Sequence, residues 1–544
     1  MQQFSVLADI QRKRKYAHPV PGGGLETWEQ TADRVATCVF RAVRPPAIFT
    51  EKVREMIAAR EFMPGGRYLA STGREFHQTQ NCLLLRAQDS REGWSELAYH
   101  CFQALMTGAG IGIVYSDVRE KGKLIRRTGG HATGPIALMN IINDGGRQIR
   151  QGGERRSAIW AGLHWWHPDI FDFIDVKNWP AEVKRLKGEN FSFPATLDGT
   201  NISVILDREF FNAFDDDGHA QHKHARQVYW RTVKQMVSTA EPGFSIDYED
   251  PDECLRNACT EVSSRDDSDI CNLGSINMAN VRDLEHMREL VYYGTAFLMA
   301  GTVYSHTPYP KVDMVRTKNR RLGLGLMGIH EWLLKRGKRY GPDAELEEYL
   351  KVYATSTEVA YDIASMMELS KPIKTRAIAP NGTIGIVAET TTGIEPLFCV
   401  AYKRRWLKGE GVYGVKYVID PVAKRLINQG VDPELIEDAY SISAERRIAF
   451  QAWVQQYVDH GISSTVNTPR WGSERINEDN YRDFGDMLYP YLPKLRGITC
   501  YPDGAREGQP ITAISYEAAL KLEDKEFDEY GDMCSLSRGG VCGD

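Results

Sequence analysis

Short apolar runs alternate with helix-period segments from residue 81 to about residue 518, and this alternation constrains the fold more than any other feature. Asn81-Cys82-Leu83-Leu84-Leu85 reads as a strand, residues 91–107 have helical periodicity, and IGIVYS after the cluster Gly108, Gly110 and Gly112 reads as a strand again. Residues 119–157 are rich in Gly and Arg around a further helix, and Asn201-Ile202-Ser203-Val204-Ile205 looks like another buried strand. Strands that are apolar on both faces belong to a sheet covered on both sides, which argues for an α/β class. Residues 27–60 read as two amphipathic helices. No internal repeat or long low-complexity linker divides the centre. The expected organisation is an N-terminal helical segment (1–60), one continuous unit (61–518) and an acidic, Gly-rich, mobile tail (519–544) with little to bury.

Charge and composition exclude several roles. A net charge of −6 leaves no electrostatic footprint for nucleic acid. No apolar run approaches the roughly 18 residues a membrane span needs. The N-terminus lacks a signal-peptide pattern, so a cytoplasmic location is expected, with Arg12-Lys13-Arg14-Lys15 as a solvated arm. None of the 10 cysteines has CxxC spacing, which argues against a zinc ribbon or a thioredoxin-type motif. Thiols that pair in a reducing compartment do so for catalysis or sensing. His164, His167, His222 and His224 lack the companions of a metal site and are expected to be hydrogen-bonded or at the surface; no metal is expected. Gly323-Leu324-Gly325-Leu326-Met327-Gly328 matches G-x-G-x-x-G, but Arg316 to Arg321 precede it instead of a strand. It is read as close helix packing through small residues.

The chemistry concentrates in Asn257-Ala258-Cys259-Thr260-Glu261, followed by Cys271-Asn272-Leu273-Gly274-Ser275. If extended, the first segment points an amide, a thiol and a carboxylate the same way. That suits cysteine redox chemistry on a hydroxylated substrate, or merely a loop with one inert thiol. Pro380-Asn381-Gly382-Thr383-Ile384-Gly385 opens a helix and could hold an anion or simply cap the helix. The Gly- and Arg-rich loops at 119–130 and 150–157 suit a second phosphate-bearing ligand or plain solvation. Cys534 and Cys542, in the tail, read as a dithiol shuttle, with metal binding or chance as alternatives.

Taken in order, these segments resemble the large catalytic chain of ribonucleotide reductase, from about residue 60 to the C-terminus. NACTE is similar to the family's finger loop and CNLGS to the segment carrying its second redox Cys. Asn81-Cys82 lies where the first redox Cys is found. RTGGHATGP, RQGGERRSA, HPDIFDFI, NRRLGLGLMG and APNGTIGIVAETTTGIEP all look like family segments. The last of these and ITCYPDGAREGQPIT look most like class II, the adenosylcobalamin-dependent branch. The alternative is a class I large chain fed by a separate radical subunit through a C-terminal tandem Tyr pair. Here the only such pair is Tyr292-Tyr293, in the wrong place.

The resemblance implies a ten-stranded α/β barrel with the radical Cys on an inner finger loop. It implies that cobalt–carbon homolysis leads to a thiyl at Cys259, that Glu261 acts as base and that Asn257 holds ribose hydroxyls. Cys82 and Cys271 would end as a disulfide, re-reduced by Cys534 and Cys542 and then by thioredoxin or glutaredoxin. Pro380, Asn381, Gly382, Thr383 and Ile384 would cradle the phosphates of a ribonucleotide, expected to be a diphosphate. Asp89, Ser90 and Arg119 would bind a deoxynucleotide or ATP effector at the side of a homodimer, and Gln151 and Arg156 would relay its identity. Three departures stand out: Ala258 and Thr260 occupy the usual Pro and Gly positions, Asn381 replaces the usual Thr, and the N-terminal stretch lacks an ATP-cone pattern.

Overall fold

The computed structural model describes residues 4–151, 155–190, 193–248, 253–409, 412–503, 511–522 and 526–530. Ten strands form the main sheet: β1 (Phe62–Pro64), β2 (Cys82–Arg86), β3 (Gly110–Val114), β4 (Ile159–His164), β5 (Thr200–Asp207), β6 (Gly243–Asp247), β7 (Asp269–Asn277), β8 (Leu322–Met327), β9 (Thr465–Thr468) and β10 (Gly497–Pro502). Their order is β1-β7-β2-β3-β4-β5-β6-β10-β9, with β8 also paired to β7. β2 to β6 run parallel to their neighbours. β7 with β8, and β9 with β10, are parallel pairs that meet this block antiparallel. Beyond β8, the Leu324 N–H donates to the Thr375 carbonyl, and isolated parallel bridges join Leu324 to Arg376 and Ile378 to Ile462.

The period-two alternation of these strands decides what faces what. Leu83, Leu85, Ile111, Ile113, Ala161, Leu163, Ile202 and Val204 pack in the large core under the helices. The intervening positions, Cys82, Leu84, Val114, Trp160 and Ile205, join a small inner cluster with Cys254, Leu255, Val262 and Cys271. Each aliphatic side chain so buried contributes roughly 1.5–3 kcal/mol. The helix Arg91–Thr107 begins where the Ser90 hydroxyl accepts the Gly93 N–H, and it ends at Gly108, in the left-handed region at φ 102°.

G-x-G-x-x-G is not a helix contact: it forms β8 itself. A Cβ on Gly323 would lie 2.8 Å from the Asn272 carbonyl, and one on Gly325 2.7 Å from that of Ala377, so the small residues let strand backbones approach. Helix α1 (Val6–Lys15) packs against the helix Gly382–Ala388, while α2 (Trp28–Arg41) and α3 (Ala47–Ala58) share one core with β1, β7 and β8. Arg12 is therefore no solvated arm: it is buried, with its guanidinium on the Glu26 carbonyl and the Asp9 carboxylate. At the other end, a helix (Tyr516–Leu522) crosses the expected start of the tail. Glu526–Tyr530 pairs with Val412–Ile419 in a four-stranded antiparallel sheet, so this stretch is structured where a mobile tail was expected.

Candidate active site

Past β6 the chain makes a small hairpin, Leu255–Arg256 against Ser263–Ser264, with residues 257–262 at its tip. The tip is a turn and not the extended segment the sequence suggested, because six residues that leave one strand and return in the next must reverse. The Thr260 N–H donates to the Asn257 carbonyl at 3.0 Å, and Thr260 takes φ 65°. That is the left-handed conformation for which glycine is the usual residue. Asn257 Oδ1 accepts the Val262 N–H at 3.0 Å, tying the tip across its base.

Beneath this turn, β2 and β7 place Cys82 directly opposite Cys271. Directly opposed residues on antiparallel strands have Cα atoms about 4.5–5.5 Å apart, within disulfide range. Both are buried free thiols, and burial pushes both well above the ordinary thiol range. The Cys82 thiol donates to Glu261 Oε1 at 3.8 Å. Glu261 is 1% exposed, and its Oε2 has no partner among the described residues. Burial pushes its carboxyl up to about 7, against hydrogen bonds from its own backbone, Asn257 and Cys82 that favour the charged form. Cys259 retains accessible surface at the tip although protein surrounds it densely, and burial pushes its thiol up as well. The result is a protonated thiol facing open space, a carboxyl poised near neutrality and an opposed dithiol. This set suits hydrogen-atom transfer and two-electron thiol chemistry on one hydroxylated substrate.

The other expected residues fall into separate groups. Asn381 sits at φ 55° before the helix Gly382–Ala388, and its amide bonds Ser275 Oγ at 3.1 Å instead of capping that helix. Gly382 faces open space, Thr383 is half-buried and Ile384 is buried. Arg119 Nε reaches Asp89 Oδ2 at 2.7 Å beside the Ser90 cap. Gln151 and Arg156 lie on a two-strand hairpin of which residues 152–154, like Cys534 and Cys542, are outside the described residues. His164, His167, His222 and His224 each bond a hydroxyl or carbonyl. No metal-ligating cluster occurs among the described residues.

Sequence reasoning missed a buried charge network below the hairpin. Arg321, fully buried, bonds Asp269 Oδ2 at 2.6 Å and Glu253 Oε1 at 3.0 Å, while Lys374 joins Glu253 at 2.5 Å. Burial alone would raise Glu253, but the Arg321 and Lys374 charges hold its carboxyl down at about 2. The charged run around residue 320 was the available signal. Nothing local, however, says that its third arginine points inward.

The ribonucleotide reductase barrel domain matches residues 80–252, 255–370 and 373–501. The chain belongs to that family. A vitamin B12-dependent ribonucleoside-diphosphate reductase of Thermoplasma acidophilum is 27% identical over 95% of this chain and 73% of its own. One from Mycobacterium tuberculosis is 25% identical over 95% of this chain and 82% of its own. The large subunit of the Plasmodium falciparum ribonucleoside-diphosphate reductase, also 25% identical, aligns with 59% of this chain. Among the described residues no helix is long and apolar enough to cross a membrane.

Proposed function

We propose that this ribonucleotide reductase chain is an adenosylcobalamin-dependent enzyme that reduces ribonucleoside diphosphates to deoxyribonucleotides. The observation that carries the reading is Cys82 facing Cys271 across β2 and β7, directly under the turn that bears Cys259 and Glu261. The B12-dependent relatives align with nearly the whole chain, whereas the subunit-dependent relative does so over little more than half, which favours the cobalamin branch.

The residues fit the cofactor's chemistry: Cys259 would face it with a thiol that burial keeps protonated, and so able to give up a hydrogen atom. Adenosylcobalamin, when bound, would supply the radical chemistry for which Cys259 is the hydrogen donor. The Cys259 thiyl takes the substrate's 3′ hydrogen. Glu261, ionised, accepts the proton of the 3′ hydroxyl, and Asn257 orients the ribose. One of Cys82 and Cys271 protonates the departing 2′ hydroxyl. The pair supplies two electrons and the hydrogen that replaces that hydroxyl, ending as a disulfide, while Glu261 returns the proton to the 3′ oxygen and Cys259 returns the 3′ hydrogen.

The rest of the reading extends this centre. The loop Pro380 to Ile384 holds the substrate phosphates, supported by its uncapped first turn and by open space at Gly382. Asp89, Ser90 and Arg119 bind a nucleotide effector at the side of a homodimer, and Gln151 and Arg156 relay its identity. Cys534 and Cys542 re-reduce the internal pair with electrons from thioredoxin or glutaredoxin, in a reducing cytoplasm. The main sheet closes as a ten-stranded barrel around the finger loop, supported by the bridges from β8 through residues 374–378 to 460–463, which lead into β9. Residues 61–518 form the catalytic unit, with the helical N-terminal segment packed on it.

The test is an anaerobic assay of the purified chain with CDP, dithiothreitol and adenosylcobalamin. Deoxycytidine diphosphate formed only with the cofactor supports the cobalamin branch. Nucleotide binding without product in this mixture moves the reading to a class I chain that lacks its radical subunit.

A further inference from the structure

The Cys259 turn runs between two glycines whose missing side chains make room for it. On one wall, two inward positions of β3 are Gly110 and Gly112. A Cβ on Gly112 would lie 1.8 Å from the Arg256 carbonyl oxygen and 3.0 Å from the Asn257 carbonyl carbon, and one on Gly110 3.1 Å from the Ala258 Cβ. On the other wall, a Cβ on Gly461 would lie 3.0 Å from the Thr260 oxygen and 3.3 Å from the Glu261 Cα. The Gly461 N–H donates to the Glu261 carbonyl at 2.7 Å. Neither Gly112 nor Gly461 has a left-handed φ, so the backbone at these positions does not call for glycine. What calls for it is the space the turn fills. Thr260 between the walls does have the left-handed φ, a conformation a β-branched residue keeps only when its surroundings hold it there.

We propose that Gly112 and Gly461 are positioning residues: they grip the turn from opposite sides and set where the Cys259 sulfur stands relative to the substrate and to the Cys82–Cys271 pair. The inference rests on the radical role of Cys259 in the proposed function. Hydrogen transfer needs reacting atoms in near-contact, and a shift of about 1 Å costs roughly 100-fold in rate. The walls grade the effect. Gly112→Ala must move the Arg256 backbone, and Gly461→Ala need only shift the turn by a few tenths of an ångström. Gly497→Ala makes ordinary contacts, 3.4 Å from the Phe244 carbonyl and 3.7 Å from Thr260 Oγ1.

Because Gly112→Ala can fail to fold, the decisive variant is Gly461→Ala, with Gly497→Ala as control. Two quantities are measured. The first is kcat and KM for CDP with adenosylcobalamin and dithiothreitol. The second, in cofactor-free chain, is the iodoacetamide alkylation rate of Cys259, followed on its own peptide by mass spectrometry. The expected result for Gly461→Ala is kcat down about 3- to 10-fold with KM and melting temperature held, together with an altered Cys259 alkylation rate. Gly497→Ala should match the wild type in both. Wild-type kcat and alkylation in Gly461→Ala, or a kcat loss that merely tracks a lower melting temperature, overturns the positioning role. If the wild type is itself inactive with the cofactor, the proposed function fails, and the alkylation comparison still decides whether the glycines set the turn.

Discussion

Replacing Glu261 by Gln separates its electrostatic cost from its chemical use. The side chain is buried with one oxygen unpartnered, and its carboxyl titrates near 7 instead of at its ordinary 4.5. A folded-state value above the unfolded one means the protonated form favours folding. That stability is fully present below about pH 4.5 and is lost as pH rises through about 7. The loss amounts to about 3 kcal/mol once the group is ionised. With an unfolding entropy of about 2.1 cal/mol/K per residue over 544 residues, about 1.1 kcal/mol/K in all, this corresponds to about 3 °C. Glutamine keeps an acceptor toward Cys82 and never ionises. The difference in melting temperature between Glu261→Gln and wild type should therefore grow by about 3 °C from pH 4.5 to 7.5, read by calorimetry at fixed ionic strength. Catalysis should run the opposite way. Glu261 must be ionised to accept a proton, so wild-type kcat/KM climbs with pH and levels off above about 7, while the Gln variant is without turnover at every pH. A melting difference constant across that range, together with kcat/KM flat between pH 6 and 8, refutes the reasoning.

Three further outcomes follow from the geometry. In the chain carrying Cys534→Ser and Cys542→Ser, which removes the tail dithiol, one turnover with CDP and no external reductant should leave a single internal disulfide joining the Cys82 and Cys271 peptides, and mass spectrometry that finds either residue paired elsewhere contradicts the β2–β7 register. Thr260→Gly should relieve about 1–2 kcal/mol of left-handed strain against up to about 1 kcal/mol of added chain entropy, so its melting temperature should stay within about 1 °C of wild type or rise; a fall of several degrees would mean the threonine side chain holds the turn. Arg321→Met takes the arginine from the buried Asp269 carboxylate and leaves Glu253 to Lys374 alone, and should lower stability by about 3–5 kcal/mol, about 3–5 °C by calorimetry; an unchanged melting temperature would show that the network stabilises nothing.

The α/β class and the principal strands were legible in the sequence because each rests on local chemistry. Apolar runs such as Leu83 to Leu85 can only be buried, and helix ends such as Ser90 and Gly108 carry their own signals. The family too was legible, from motif order alone. Local pattern failed where the partner is distant in the chain. The finger loop reads as extended until the hairpin Leu255–Arg256 with Ser263–Ser264 forces it to reverse. Gly323 and Gly325 read as helix spacers until Asn272 and Ala377 are seen against them. Arg12 reads as solvated until Glu26 folds over it.

By itself, then, the sequence determined which groups this protein has available: one thiol between an amide and a carboxylate, two more thiols, and a glycine loop for an anion. Only the tertiary structure decided that Cys82 stands opposite Cys271, that Glu261 is buried deeply enough to titrate near 7, and that Gly112 and Gly461 close on the Cys259 turn. Register, burial and backbone clearance are relations between segments up to hundreds of residues apart, and they exist only once the sheet has assembled.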